Sequence, residues 1–199
     1  MPISQLDADM RAARRGLRDA GVPKNLLNGI TTRARRTGRR QTGGYQSNRA
    51  SRWRLDPTDP QYGTETDCKT IELQLLGMMC EFVNAPPLDG PTEEILARYI
   101  GHSPVPGIYR DALTKERLDY NDFLDEALTP QRGRSKFHIG HDDPSRSPKH
   151  VPGNISWRSE RSNLIQGDMT LSEARTKLVE LIARYFDLGE VIIHPDQIA

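Results

Sequence analysis

The 199-residue sequence predicts an α+β fold that is mainly helical, with helices flanking a small strand-bearing segment in the C-terminal third. Three observations lead there. Apolar residues recur at helical spacing over 4–20, 65–83 and about 171–186. Strand-like sequence is confined to short pieces, chiefly near 137–141 and 155–158. Apolar residues make up only 35% and mean hydropathy is −0.69, so the core is modest and the polar surface broad.

Taken in order, Leu6, Met10, Ala13 and Leu17 share one face of a helix over 4–20, which Gly21 and Pro23 end. A second helix is expected from Asn25 to about Arg36. The stretch TGRRQTGGYQSNRASRWRLDPTDP follows, with five Gly or Pro residues and nothing periodic. It reads as a loop or arm bearing Arg39, Arg40, Arg49, Arg52 and Arg54, anchored to the body by Trp53. From Glu65 to Val83, Ile71, Leu75, Met78, Met79 and Phe82 form the stripe of the main core helix, ended by Ala85-Pro86-Pro87. Thr92-Glu93-Glu94 opens a short helix to Ile100, with acids near its positive end.

GIYRDALTKERLDYNDFLDEAL reads as a strand pair followed by a helix near 121–128. Pro130 to Lys136 is a basic loop feeding a strand. Ile155–Arg158 is expected to be that strand's partner, with Trp157 packed beneath the pair. A short helix follows, interrupted by Gly167. Thr170-Leu171-Ser172-Glu173 has the capping-box pattern. The last helix then runs to about Phe186 with Leu178, Leu181, Ile182 and Tyr185 on one face.

Charge is segregated, although the net value is only +1. Residues 11–54 hold thirteen Lys/Arg against one acid, Asp19, while residues 55–130 hold fifteen Asp/Glu against five Lys/Arg. A basic arm of this kind is the usual electrostatic footprint for nucleic acid. It could also be a solvated tail, or pair with the acidic middle of the same or another subunit. No 18-residue apolar run exists to span a membrane. The start, MPISQLDADMRAARR, has no apolar leader segment. Cys68 and Cys80 are 12 apart, which is not a zinc spacing. Free thiols in a reducing, cytoplasmic setting are expected.

The stretch from Phe137 to Thr170 carries the chemistry: FHIGHDDPSRSPKHVPGNISWRSERSNLIQGDMT. His141, Asn154 and Asn163 are spaced by 13 and 9 residues, with Pro144 three and His150 nine after the histidine, and Gly167 four after the last asparagine. Hydrolysing a phosphodiester needs a base that takes a proton from water, and histidine titrates near neutrality unaided. It also needs a cation against the charge building on phosphate, and an asparagine carbonyl is a suitable hard ligand for one. These roughly 35 residues resemble the HNH nuclease motif, a hairpin and a helix (ββα) that hold one metal ion against a phosphodiester.

The resemblance implies that His141 is the general base, that Asn154 holds the loop and the histidine ring, and that Asn163 opens the helix and binds the metal. Gly167 falls where many members carry Lys-Gly, and His150 near a common loop histidine. Two departures stand out. Gly140 occupies the position of a metal-binding aspartate or histidine and has no ligand to offer. His138 shares its strand face and is the first candidate to replace it, with Asp142 and Asp143 behind. Many members also carry zinc-binding Cys-x-x-Cys pairs, and here Ser159 and Ser162 stand where one pair would be, so no structural zinc is expected.

Carried through, the resemblance implies a metal-dependent DNA endonuclease with one divalent ion per active site, Mg²⁺ foremost and Mn²⁺ or Ni²⁺ as alternatives. Arg158 or Arg161 would grip the scissile phosphate. Arg132, Arg134 and Lys136 would lie near the site, and Arg39, Arg40 and Arg52 would reach double-stranded DNA from the arm. The chain then divides into basic N-terminal helices and arm (1–55), a helical recognition and dimerisation region (56–130) and the catalytic module with its last helix (131–199). So large a share for recognition suits a type II restriction enzyme acting as a homodimer on a palindromic site. The alternatives are a phage-type nicking or structure-specific nuclease, and a non-cleaving DNA-binding protein with a degenerate module. His138–His141 also spells His-Ile-Gly-His, the nucleotide signature of class I aminoacyl-tRNA synthetases. It comes too late in a short chain, with no Lys-Met-Ser-Lys-Ser partner.

Overall fold

A helix buried on all sides belongs at the centre of a fold, and α3 (Glu65–Met79) is one. Its buried residues Cys68, Ile71, Leu73, Leu75, Leu76 and Met79 run around the axis, so the single stripe expected from the sequence covers only part of it. The computed structural model describes residues 3–38, 41–42, 45–46, 48–130 and 135–190.

Around α3 pack α1 (Ile3–Asp19), α2 (Lys24–Arg35) and α4 (Gly90–Ile100). The apolar face of α1 is buried as expected, through Leu6, Met10, Ala13 and Leu17, and α2 contributes Leu26, Leu27, Ile30 and Ala34. Gly16 lets α4 approach α1: a Cβ there would stand 1.7 Å from Thr92 Oγ1. Glu72 of α3 is fully buried, yet it accepts from Arg14 Nη1 at 2.9 Å and Thr31 Oγ1 at 2.8 Å, and pairs with Arg35. A buried carboxylate is tolerable only with such partners, so the network fixes α1 and α2 against the core. Helix α4 starts earlier than Thr92, because Asp89 caps it by accepting from Thr92 N at 2.9 Å.

The basic stretch between α2 and α3 is more structured than a loop. It contains a two-residue hairpin, β1 (Gln41–Thr42) with β2 (Tyr45–Gln46), and a 3₁₀ turn at Arg52–Arg54. Thr37 N donates to Ala50 O at 3.0 Å, which ties the two ends of the excursion together. Arg52 also anchors this stretch: it is 7% exposed and donates to Gln61 O at 3.1 Å, while Trp53 next to it is partly buried.

The strand pair expected around 108–120 is replaced by one isolated bridge, Arg110 with Arg117. The reason is local. The side chain of Asp111 accepts from Leu113 N at 2.9 Å and Thr114 N at 3.1 Å, bending the chain into a turn that a ladder cannot share. Helix α5 (Tyr120–Leu128) follows, capped by Asp119.

The antiparallel pair β3 (Phe137–His141) and β4 (Ile155–Ser159) sits on this helical base. Phe82, Phe123, Phe137 and Trp157 form an aromatic cluster under it, with ring centroids 4.8–6.2 Å apart where they meet. Trp157 Nε1 donates to Leu75 O of α3 at 2.9 Å, and Tyr109 OH to Trp157 O at 2.9 Å. The hairpin is thereby planted on the central helix.

Helices α6 (Glu160–Gln166) and α7 (Leu171–Asp187) complete the order. Asn163 does not open α6, because Ser159 is its cap, accepting from Ser162 N at 3.1 Å. The capping box at Thr170 forms as expected. The apolar face of α7 is largely uncovered: Ala174 is buried, but Ile182 is 50% exposed and Tyr185 and Phe186 46% each. Among the described residues no helix is long and apolar enough to cross a membrane.

Candidate active site

Register places the candidate residues at the loop end of the hairpin. Gly140 pairs with Ser156 and His141 with Ile155, and the loop 142–154 joins the strands. Asn154, 2% exposed, staples that loop with three side-chain bonds. Its Oδ1 accepts from Asp143 N at 2.9 Å, and its Nδ2 donates to Asp143 O at 2.9 Å and Lys149 O at 2.8 Å. Asp142 N also donates to Asn154 O at 3.0 Å. A buried amide with this many partners allows one loop conformation.

His141 is half-buried, and its Nε2 is enclosed without a hydrogen-bond partner. Burial pushes its pKa down to about 4, helped by the cations Lys149 and Arg52, so the imidazole is neutral at pH 7 and a weaker base than a free histidine. The ring meets that of His150 edge-on, with centroids 5.9 Å apart. His150 is fully buried, and its Nε2–H donates to Ala34 O of α2 at 2.6 Å, because a carbonyl can only accept. Burial pushes its pKa down to about 3, with Arg52 and His141 contributing.

The opposite face of the hairpin lies under α6. Gln166 Nε2 donates to His141 O at 2.7 Å and Met169 O at 3.0 Å, and Leu171 N to Asp142 O at 2.9 Å. Asp111 reaches this corner from the distant turn, accepting from Ser159 N at 2.8 Å and Ser162 Oγ at 2.5 Å. Thus Ser159 and Ser162, at the positions of a cysteine pair in the HNH resemblance, are joined by hydrogen bonds through a carboxylate.

Arg158 departs most from expectation. Its side chain is fully buried, so it cannot grip a phosphate from this position. Nη2 donates to Asp142 Oδ1 at 2.7 Å, and Nη1 lies 3.9 Å from Asp111 Oδ1. Ser156 Oγ also donates to Asp142 Oδ1, at 2.8 Å. Arg52, expected on the arm, is likewise buried. Lys136 and Arg161 are exposed, just before β3 and in the first turn of α6. Arg39, Arg40, Arg132 and Arg134 lie outside the described residues. Beside β3 runs a groove of 590 Å³ lined by Arg33, Arg36, Arg49, Arg52 and His138. Arg33 and Arg36 belong to the basic segment legible in the sequence, but their place along β3 is a matter of packing.

The HNH resemblance implies a divalent ion between hairpin and α6, and the side chains here do not suit one. Gly140 offers no ligand. His138 Nε2 is bonded to Ser135 O at 2.8 Å, near the start of the strand. Asp142 is engaged by a guanidinium and a hydroxyl. Asn163 presents its carbonyl oxygen toward Gly140. Among the described residues no three His, Cys, Asp or Glu side chains converge as a metal-binding group.

No family model matches the chain, and no curated protein matches its sequence. A solved structure described as "Crystal structure of a type II restriction endonuclease" is similar over 63% of this chain, with a TM-score of 0.52 and 18% identity. The match covers 54% of that protein, so this chain spans about half of its length. At that identity the likeness is one of fold. The chain is an α+β protein, mainly helical, that shares this fold.

Proposed function

We propose that the protein is a DNA endonuclease of restriction type, hydrolysing phosphodiester bonds at the loop end of the β3–β4 hairpin. The observation that carries it is the Nε2 of His141, without a hydrogen-bond partner and held beside a loop that Asn154 locks. The fold shared with a type II restriction endonuclease supports the same direction. In the reaction His141 takes a proton from water and the hydroxide attacks phosphorus. The P–O3′ bond breaks, and the departing 3′ oxygen takes a proton from solvent. Lys136 and Arg161, both exposed, are the cations assigned to meet the DNA backbone.

A homodimer would cut both strands of a palindromic site, and the uncovered apolar face of α7 supports a second copy. The test is plasmid DNA incubated with the protein in Mg²⁺, Mn²⁺, Ni²⁺ and in EDTA, with end-sequencing of fragments and sedimentation velocity alongside. Site-specific linear product is expected, and plasmid intact under every condition would sink the proposal. A second reading, a non-cleaving DNA-binding protein, is favoured by one observation: Arg158 is buried where a phosphate grip was expected.

A further inference from the structure

We propose that in this chain the guanidinium of Arg158 occupies the place of the divalent cation between hairpin and α6. The starting point is Gly140. A Cβ there would stand 2.7 Å from Arg158 Cγ and 2.9 Å from Arg158 Nε, closer than real Cβ atoms come. Any ligand-bearing residue at 140 is therefore incompatible with this arginine as placed. The same point lies 3.3 Å from Asn163 Oδ1, the ligand that the HNH resemblance assigns to the metal. Glycine at 140 is thus the condition for Arg158 to cross the strand rather than a simple loss of a ligand.

The charges agree with the geometry. The guanidinium of Arg158 is a cation and is fully buried. Asp142 and Asp111 flank it at 2.7 Å and 3.9 Å, as carboxylates flank a cation. Two of its donor atoms, Nε and Nη1, are enclosed and without a hydrogen-bond partner. A charge fixed inside protein acts on a neighbouring phosphate with little screening by water. That part of the inference rests on the nuclease function proposed above; occupancy of the site does not.

The experiment is Mn²⁺ titration followed by electron paramagnetic resonance, with and without duplex DNA. It compares the wild type with Asn163→Ala and with the double variant Gly140→Asp/Arg158→Met. No Asn163-dependent site tighter than ~1 mM is expected in the wild type, whereas the double variant gains one. A wild-type site that Asn163→Ala weakens by about tenfold or more would overturn the proposal. A folded double variant with no gain in Mn²⁺ binding would overturn it equally. Should the double variant misfold, the wild type against Asn163→Ala still decides. Cleavage is scored on plasmid in parallel. Its absence under all conditions would count against the nuclease function and leave the Mn²⁺ result standing.

Discussion

The indole Nε1 of Trp157 donates to the carbonyl of Leu75 at 2.9 Å, joining the hairpin that carries the candidate site to the most buried helix of the fold. Trp157 is fully buried and packs edge-on against Phe123 at 4.9 Å. The position of β4, and through it of β3 and His141, depends on this contact. Trp157→Ala should cost about 3–5 kcal/mol of stability in urea unfolding. Trp157→Phe should cost less, because it keeps most of the ring packing without the hydrogen bond. A loss below about 1 kcal/mol for the alanine variant would mean that the hairpin is held some other way.

His141→Ala should lower the cleavage rate by ~10² or more while leaving DNA affinity intact, the range for loss of a general base. Cleavage retained within a few-fold would move the base elsewhere, and His138 is next in line.

Asn154→Ala removes three side-chain bonds and leaves the Asp143 amide and two carbonyls to find water. A loss of about 1–3 kcal/mol is expected, with faster hydrogen exchange at the Asp143 amide. Asn154→Asp should fare no better, since a carboxylate cannot donate to Asp143 O or Lys149 O. An unchanged exchange rate in Asn154→Ala would show that the loop is held without this residue.

His150 gives the protein a pH dependence whose sign follows from its burial. Its folded pKa, pushed down to about 3, lies below the ordinary value of 6.5, so the unfolded chain binds the proton that the folded chain excludes. Stability is therefore present above pH 6.5 and is lost as pH falls toward 3, by at most ~1.4 kcal/mol per pH unit for this group. Arg52 from the 3₁₀ turn and His141 from β3 are the charged or titratable groups that reinforce the shift. His150→Gln should flatten the acid limb of thermal unfolding measured from pH 4 to 7. An equally steep limb would assign it to other groups.

Charge reversal at Lys136 and Arg161 should weaken DNA binding and reduce the salt slope by about one for each phosphate that is no longer neutralised. Arg52→Ala should instead lower stability, because its guanidinium is buried against Gln61 O. A salt slope that falls in Arg52→Ala and holds in the Lys136/Arg161 variant would reverse these assignments.

Local chemistry makes the helices and the hairpin legible in the sequence itself. Period-3.6 stripes, the capping box at Thr170 and the paired strand segments act over a few residues, and those are the distances a sequence displays. The spacing of His141, Asn154 and Asn163 was visible for the same reason. What only the tertiary structure decided is which of these groups is covered, and by what. Arg158 and Arg52 read as surface cations until packing buried them, because charge in a sequence carries no record of solvent access. Asp111 meets α6 from 48 residues before Ser159, a contact that no local pattern announces. The stripe on α7 shows the converse: periodicity says which face of a helix is apolar, and only the fold says whether anything lies against it.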